Sequence, residues 1–180
     1  MIYLAIFMFS VLVSLGVGIL AGMSDFKGLI IPNMYPAIIV GMAALAVGAV
    51  YFSGAHIMAP PLIHLAIGVG VFVITFILFS LKMFGGGDSK LLSAYALLVG
   101  PKGIVTLLFY MALSGAILGL FTIFVKRRKP FKAPREGGWI ARVQAGENRV
   151  PYGIPIVIGA CFAFLQMGFF SSAVIGAFVQ

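Results

Sequence analysis

The chain has 180 residues, of which 62% are hydrophobic and only 9% are charged, and its formal net charge is +8. A soluble domain carries about 25% charged residues, so this composition excludes an ordinary soluble protein. The mean hydropathy is +1.18, and apolar runs of about 20 residues recur, each long enough to cross a bilayer as a helix. None of these runs alternates as the strands of a membrane barrel do. The predicted fold class is therefore all-α, a polytopic membrane protein.

Six transmembrane helices are predicted, in a single membrane-embedded domain that covers residues 1–180. The N-terminus lacks the basic region of a cleaved signal peptide, so the first apolar run is expected to remain as a span. The single cysteine lies in an apolar run and supports neither a disulfide nor a cysteine zinc site, and we expect no metal or cofactor. The predicted spans are, in chain order, Ile2 to Gly22, Met34 to Phe52, Leu62 to Leu81, Asp88 to Gly100, Gly103 to Val125 and Val150 to Phe170.

A basic loop, residues 126–149, separates the last two predicted spans. Because most of the positive charge is confined to this loop, topology explains the charge better than nucleic-acid binding does. The positive-inside rule places this loop and the other odd-numbered loops in the cytoplasm, with both termini on the opposite side. We expect the loop to contact anionic lipid head groups. Its charged residues are Lys126, Arg127, Arg128, Lys129, Lys132, Arg135, Glu136, Arg142, Glu147 and Arg149.

The only two aspartates of the chain, Asp25 and Asp88, lie at the ends of apolar segments on the predicted cytoplasmic side. Two carboxyl groups that share one proton can activate a water molecule and protonate a leaving amine. The glycines Gly85, Gly86 and Gly87 come directly before Asp88, and without side chains they allow a substrate backbone to approach. This pattern predicts an aspartic peptidase site. Two alternatives stay open: Asp88 acts only as the N-cap of its helix, and Asp25 is an ordinary charge at the membrane surface.

Three polar residues close to the aspartates are candidates for binding substrate or supporting the pair: Lys27, Lys90 and Asn33. The two lysines also suit topology anchoring by snorkelling, which is the favoured interpretation. Lys90 lies about 200° around a helix from Asp88 and should not pair with it. Asn33 is positioned to act as the N-cap of the second span.

These residues carry a resemblance to a known family. Gly85-Gly86-Gly87-Asp88 fits the Gly-x-Gly-Asp motif of intramembrane aspartic peptidases. The continuation of that motif, and two further segments, are similar to the type IV prepilin peptidase family and its archaeal preflagellin relatives. The segments concerned are Ser89-Lys90-Leu91, Asp25-x-Lys27 with Ile31-Pro32-Asn33, and Pro151-Tyr152-Gly153-Ile154-Pro155, in which Pro155 departs from the expected small residue.

The resemblance implies an endopeptidase of the inner or plasma membrane that removes the short cytoplasmic leader from prepilin or pseudopilin precursors. It assigns Asp25 and Asp88 to catalysis, and Gly85 and Gly87 to the motif glycines. Long members carry an N-terminal lobe with paired cysteines that is associated with methylation. In this chain the first predicted span begins at Ile2, and the single cysteine lies in an apolar run. We therefore expect a peptidase without methyltransferase activity, similar to the short form that accompanies tight-adherence (Flp-type) pili. The alternatives are a preflagellin, presenilin or signal-peptide-peptidase type of Gly-x-Gly-Asp enzyme, and a small proton- or cation-coupled transporter component.

Overall fold

The structure, a computed structural model, describes residues 1–132, 134 and 137–178. All regular secondary structure in these residues is helical, as predicted. Arg135 and Glu136 of the basic loop lie outside the described residues. The helices are α1 (Ile2–Gly28), α2 (Met34–Ser53), α3 (Pro61–Ser80), α4 (Gly86–Arg128), α5 (Trp139–Gln144), α6 (Gly153–Gln166) and α7 (Ser172–Ala177).

Four helices, α1 to α4, are long and apolar enough to cross a membrane. The predicted count of six spans is not confirmed. Helix α6 has 14 residues, which at 1.5 Å per residue is about 21 Å and short of the hydrocarbon core of about 30 Å. The fourth and fifth predicted spans both fall within α4, which has 43 residues.

Helix α4 consists of two arms that meet at Gly100. The backbone there has φ 57° and ψ −156°, which is not helical, and Pro101 follows. Phe84, just before the first arm, has its ring centroid 5.9 Å from that of Tyr152. A Cβ placed on Gly115 in the second arm would lie 3.2 Å from the same tyrosine ring. Since residues on either side of Gly100 reach Tyr152, the chain reverses direction at Gly100, and the arms correspond to the fourth and fifth predicted spans.

A histidine of α3 closes the reversal. Nδ1 of His64 lies 2.8 Å from the carbonyl oxygen of Leu97. In an unbroken helix this carbonyl would accept from the N–H four residues later, but that residue is Pro101, which has no N–H. Nδ1 donates to the carbonyl in its place, and the imidazole, which is 2% exposed, fills the space beside Gly100. His64 therefore has a structural partner at the end of the bundle opposite the aspartates.

Two helix boundaries differ from the predicted ones near the aspartates. Helix α1 continues to Gly28, so Asp25 lies in its last turn and not in the loop that follows the span. Leu29 is the C-cap of the helix and adopts φ 55°, and the side chain of Ser24 donates to the carbonyl of Ile30 at 2.8 Å. Helix α4 begins at Gly86, because the first turn has a hydrogen bond of 2.9 Å from the Ser89 N–H to the Gly85 carbonyl.

The two ends of the described chain pack together. The ring of Phe7, early in α1, has centroid distances of 5.0 Å to Phe169 and 5.5 Å to Phe178. Asp25 lies 18 positions beyond Phe7 in the same helix, a rise of about 27 Å. The chain ends are therefore at one end of the bundle and the aspartates at the other.

Candidate active site

Asp25 is buried, with 5% of its surface exposed. Its Oδ2 accepts a hydrogen bond of 2.8 Å from the backbone N–H of Gly153, the first residue of α6. The alternative that Asp25 is an ordinary surface charge is therefore wrong. A carboxyl group buried among helices and held by a backbone donor from a distant segment has a specific position, which is what chemistry on a substrate requires.

Asp88 is the third residue of α4, and its side chain does not cap the helix. The N-cap is Gly85, which has an extended backbone of φ −77° and ψ 140° and no side-chain cap. The alternative that Asp88 serves as an N-cap is therefore wrong. A Cβ placed on Gly85 would collide with Oδ2 of Asp88, so the glycine provides space for the carboxyl group. Oδ1 of Asp88 is buried and has no hydrogen-bond partner among the described residues.

Both aspartates line one open cavity of about 710 Å³, which we call the aspartate cavity. The predicted association of Asp25, Asp88 and the three glycines is thus observed in the geometry. Ile31 lies between the starts of α4 and α6. A Cβ on Gly87 would lie 2.9 Å from its Cβ, and a Cβ on Gly153 would lie 3.3 Å from its Cδ1. The lining residues are Asp25, Leu29, Ile30, Ile31, Phe79, Lys82, Met83, Phe84, Gly85, Gly86, Gly87, Asp88, Asn148, Arg149, Val150 and Tyr152.

The first turn of α4 is held by α3. The hydroxyl groups of Thr75 and Ser89 lie 2.7 Å apart in a buried contact. Ser93 donates to the carbonyl of Ser89 at 2.7 Å. These polar contacts fix the residue that follows Asp88 and so orient the start of α4 toward the cavity. The sequence offered no signal for Thr75, because one threonine in an apolar span is common.

The predicted support residues do not line the aspartate cavity. Nζ of Lys90 donates to Oδ1 of Asn33 at 2.9 Å, so these two residues tie α4 to the start of α2. Asn33 occupies the N-cap position of α2, but its side chain does not cap the helix. Lys27 lines a separate apolar groove between α1 and α6. As predicted, Lys90 makes no pair with Asp88.

One wall of the cavity comes from the segment that follows α5, and the sequence did not predict it. Nε1 of Trp139 donates to the carbonyl of Arg149 at 2.8 Å, and the indole lies 5.4 Å from the ring of Phe26. Nζ of Lys126 donates to Oδ1 of Asn148 at 2.6 Å. The second half of the basic loop is therefore folded against the bundle. Its only signal was the single tryptophan of the chain, a large aromatic residue that is usually packed.

Among the described residues, no group of three His, Cys, Asp or Glu side chains is placed to hold a metal ion. The chemistry that the cavity offers is that of two carboxyl groups, a backbone donor and two cationic side chains at the rim, Lys82 and Arg149. The side chain of Arg149 is 76% exposed and lies 3.7 Å from that of Glu147.

The sequence model of the type IV leader peptidase family matches residues 4–120. This range is more than half of the chain and includes both aspartates and the glycines that precede Asp88. The chain belongs to the type IV leader peptidase family. It is therefore a membrane peptidase. The cavity wall that follows α5, and Gly153, lie beyond the matched residues. No curated protein and no solved structure matches the peptidase.

Gly85→Ala is expected to lower the kcat of the peptidase by about 10²-fold, the size of effect that a displacement of about 1 Å has in an active site. The added Cβ collides with Oδ2 of Asp88, whereas the extended backbone of residue 85 suits alanine, so folding should be little changed. The measurement is the rate of cleavage of a leader-bearing precursor in liposomes. Gly28→Ala is the control, because nothing lies within 4 Å of its Cβ. Equal rates for both variants would contradict the role of Gly85.

Proposed function

We propose that this peptidase is an intramembrane aspartic endopeptidase that removes the short leader from prepilin-like precursors. The observation that carries the proposal is that the only two aspartates of the chain, from helices far apart in sequence, line a single cavity. Its volume of about 710 Å³ is within the range of ligand sites in proteins, about 300–1,000 Å³. Membership of the leader peptidase family supports the same reaction class.

The proposed chemistry uses the two carboxyl groups as one unit. Like charges held close together cannot both ionise, so the pair shares one proton. The ionised carboxyl group takes a proton from a water molecule, which attacks the scissile carbonyl carbon, and the protonated one polarises the carbonyl oxygen. The glycines at positions 85 to 87 leave room for the substrate backbone beside Asp88.

The proposed orientation places the aspartate cavity at the cytoplasmic face of the inner or plasma membrane. Lys82, Arg149 and Lys126 lie at or beside this cavity, which supports the positive-inside assignment. The two arms of α4 count as separate spans, and α6 with the residues up to α7 completes a set of six. Both termini are then on the non-cytoplasmic side, and the residues of the basic loop contact anionic lipid.

The proposed substrate is a prepilin or pseudopilin precursor, of the kind used by tight-adherence pili. Its leader stays in the cytoplasm and its apolar helix lies in the bilayer, so the bond to be cut is at the membrane surface, where the cavity opens. The cavity wall supports this arrangement, because it combines apolar residues, such as Ile30 and Met83, with the rim cations Lys82 and Arg149.

The decisive experiment reconstitutes the purified peptidase in liposomes with a precursor that carries its leader. Mass spectrometry of the products is expected to show a single new N-terminus at the junction of leader and apolar helix. A cut in the middle of the helix would instead assign a signal-peptide-peptidase type of activity. Proton flux across the liposomes without any proteolysis would favour the transporter alternative and overturn the proposal.

A further inference from the structure

Within the described residues, only one of the two carboxyl groups in the aspartate cavity has a hydrogen-bond donor. Oδ2 of Asp25 accepts from the N–H of Gly153 at 2.8 Å, in a buried contact. Gly153 is the first residue of α6, which has 14 residues, and its N–H is one of those that a helix leaves without an intrahelical partner. A donor at the positive end of a helix dipole stabilises a carboxylate more than a carboxylic acid.

Glycine at position 153 gives the start of α6 room to approach Asp25 closely. A Cβ there would lie 3.0 Å from both Cβ and Oδ2 of Asp25 and 3.3 Å from Cδ1 of Ile31. These distances are shorter than the optimal separation of non-bonded heavy atoms, about 3.5–4.0 Å. Without a side chain, the backbone of α6 approaches the carboxyl group closely enough for its N–H to reach Oδ2.

Asp88 has the opposite environment. Its Oδ1 is buried and has no partner among the described residues, and a buried carboxylate without donors is strongly unfavourable. Both aspartates are near a helix N-terminus, since Asp88 is in the first turn of α4, so the dipole of α4 favours a charged Asp88 just as the dipole of α6 favours a charged Asp25. Asp25 is also in the last turn of α1, where the dipole disfavours a negative charge. What favours the negative charge on Asp25 over Asp88 is the direct hydrogen bond from the Gly153 N–H.

The remaining charged and titratable groups at the cavity do not change this asymmetry. Lys82 precedes α4, and Arg149 and Tyr152 lie in the segment before α6. Lys27, on the same helix as Asp25, lines the groove between α1 and α6 instead. In the part of the chain that the structure describes, none of these four forms a hydrogen bond or an ion pair with either aspartate.

We infer that the Gly153 N–H determines which aspartate carries the proton, so that Asp25 is the general base and Asp88 the general acid. The inference rests on the proposed function and names Gly153 as a positioning residue that acts through Asp25. It assigns the general base and the general acid to particular aspartates, which the sequence alone does not.

The reaction then proceeds in two balanced steps. Asp25 takes a proton from water as the water oxygen bonds to the scissile carbonyl carbon, and the proton of Asp88 passes to the carbonyl oxygen, which leaves a gem-diol. In the second step the C–N bond breaks, the proton on Asp25 passes to the leaving nitrogen, and a hydroxyl of the gem-diol returns a proton to Asp88. The products are a carboxylic acid and an amine, and the pair is back in its starting protonation state.

The location of the proton can be read without any substrate. Because the chain has only two aspartates, aspartate labelled with ¹³C at its carboxyl group gives two side-chain resonances by solid-state NMR in liposomes. At a pH between about 4, the ordinary range of aspartate, and neutrality, we expect one carboxylate and one carboxylic acid. Asp88→Asn should leave the carboxylate and Asp25→Asn should leave the acid. The reverse assignment, or two carboxylates, would overturn the inference whether or not the protein cleaves prepilins.

The donor itself can be removed by cell-free synthesis with glycolic acid at position 153, which replaces the N–H by an oxygen and adds no side chain. The loss of a hydrogen bond to a charged group should reduce kcat at acidic pH by about 10- to 100-fold, because Asp25 is then protonated. The loss should shrink as the pH rises, with KM unchanged. The controls are glycine reinserted by the same suppressor tRNA and the hydroxy-acid analogue of Ile154, whose N–H does not donate to Asp25.

A wild-type pH profile for the glycolic acid protein, or a loss that is uniform across pH, would overturn the role of Gly153. Either result leaves the proposed function standing as long as Asp25→Asn and Asp88→Asn abolish cleavage. Cleavage by those two variants would remove the proposed function instead.

Discussion

Asp25→Asn and Asp88→Asn are each expected to lower the rate of leader removal by about 10²- to 10⁴-fold, the contribution of general acid–base catalysis. An amide can neither take the proton of water nor donate one to the leaving amine. The measurement is single-turnover cleavage of a precursor in liposomes. Glu147→Gln is the matched control, because it also changes an acid to an amide but does not line the cavity. Cleavage within a few-fold of wild type by either aspartate variant would contradict the pair.

The same two substitutions should leave the protein inserted and at least as stable as the wild type. Oδ1 of Asp88 is buried without a partner among the described residues, and two acids in one cavity repel each other when both are charged. Replacing one of them removes the cost of keeping two acids together in one cavity, and a gain in stability is common when a functional site is neutralised. Thermal unfolding in detergent measures this, and a large fall in the midpoint would mean that the lost activity reflects misfolding.

Gly100→Ala is expected to have the largest effect on stability, a loss of about 3 kcal/mol or more in the free energy of unfolding. The backbone at Gly100, with φ 57° and ψ −156°, is in a region that is essentially restricted to glycine, and occupying it with another residue costs about 1–3 kcal/mol. The Cβ would also collide with the buried ring of His64, which must move and lose its hydrogen bond to Leu97, a further loss of about 1 kcal/mol.

Gly119→Ala provides the comparison for that experiment. Gly119 lies in the second arm of the same helix, and a Cβ there meets nothing within 4 Å. Alanine is favoured over glycine in a helix by about 1 kcal/mol, so this variant should be neutral or slightly stabilised. Denaturation of both proteins under identical conditions, followed by circular dichroism, measures the difference. Similar stabilities for Gly100→Ala and Gly119→Ala would contradict the claim that the backbone at Gly100 requires glycine.

The helices themselves were largely predictable, because hydropathy is a property of consecutive residues. Helices α2 and α3 begin and end within one residue of the predicted spans. The predicted end of α1 was wrong, because Asp25 is charged and suggested a loop. In the structure a hydrogen-bond partner 128 positions later in sequence holds Asp25 in the last turn of the helix. The two arms of α4 were predicted as separate spans, since Gly100-Pro101 is a local signal of a break.

The features of the candidate site also fall into those that the sequence predicts and those that depend on how the helices pack. The sequence by itself determined the membrane class, the two aspartates and the glycines beside Asp88, because composition and motif spacing are read along the chain. Only the tertiary structure decided that Gly153 donates to Asp25, that Ser89 is held by Thr75, and that Trp139 anchors a wall of the cavity. These contacts join residues far apart in the chain, and their distances follow from how the helices pack rather than from any one segment.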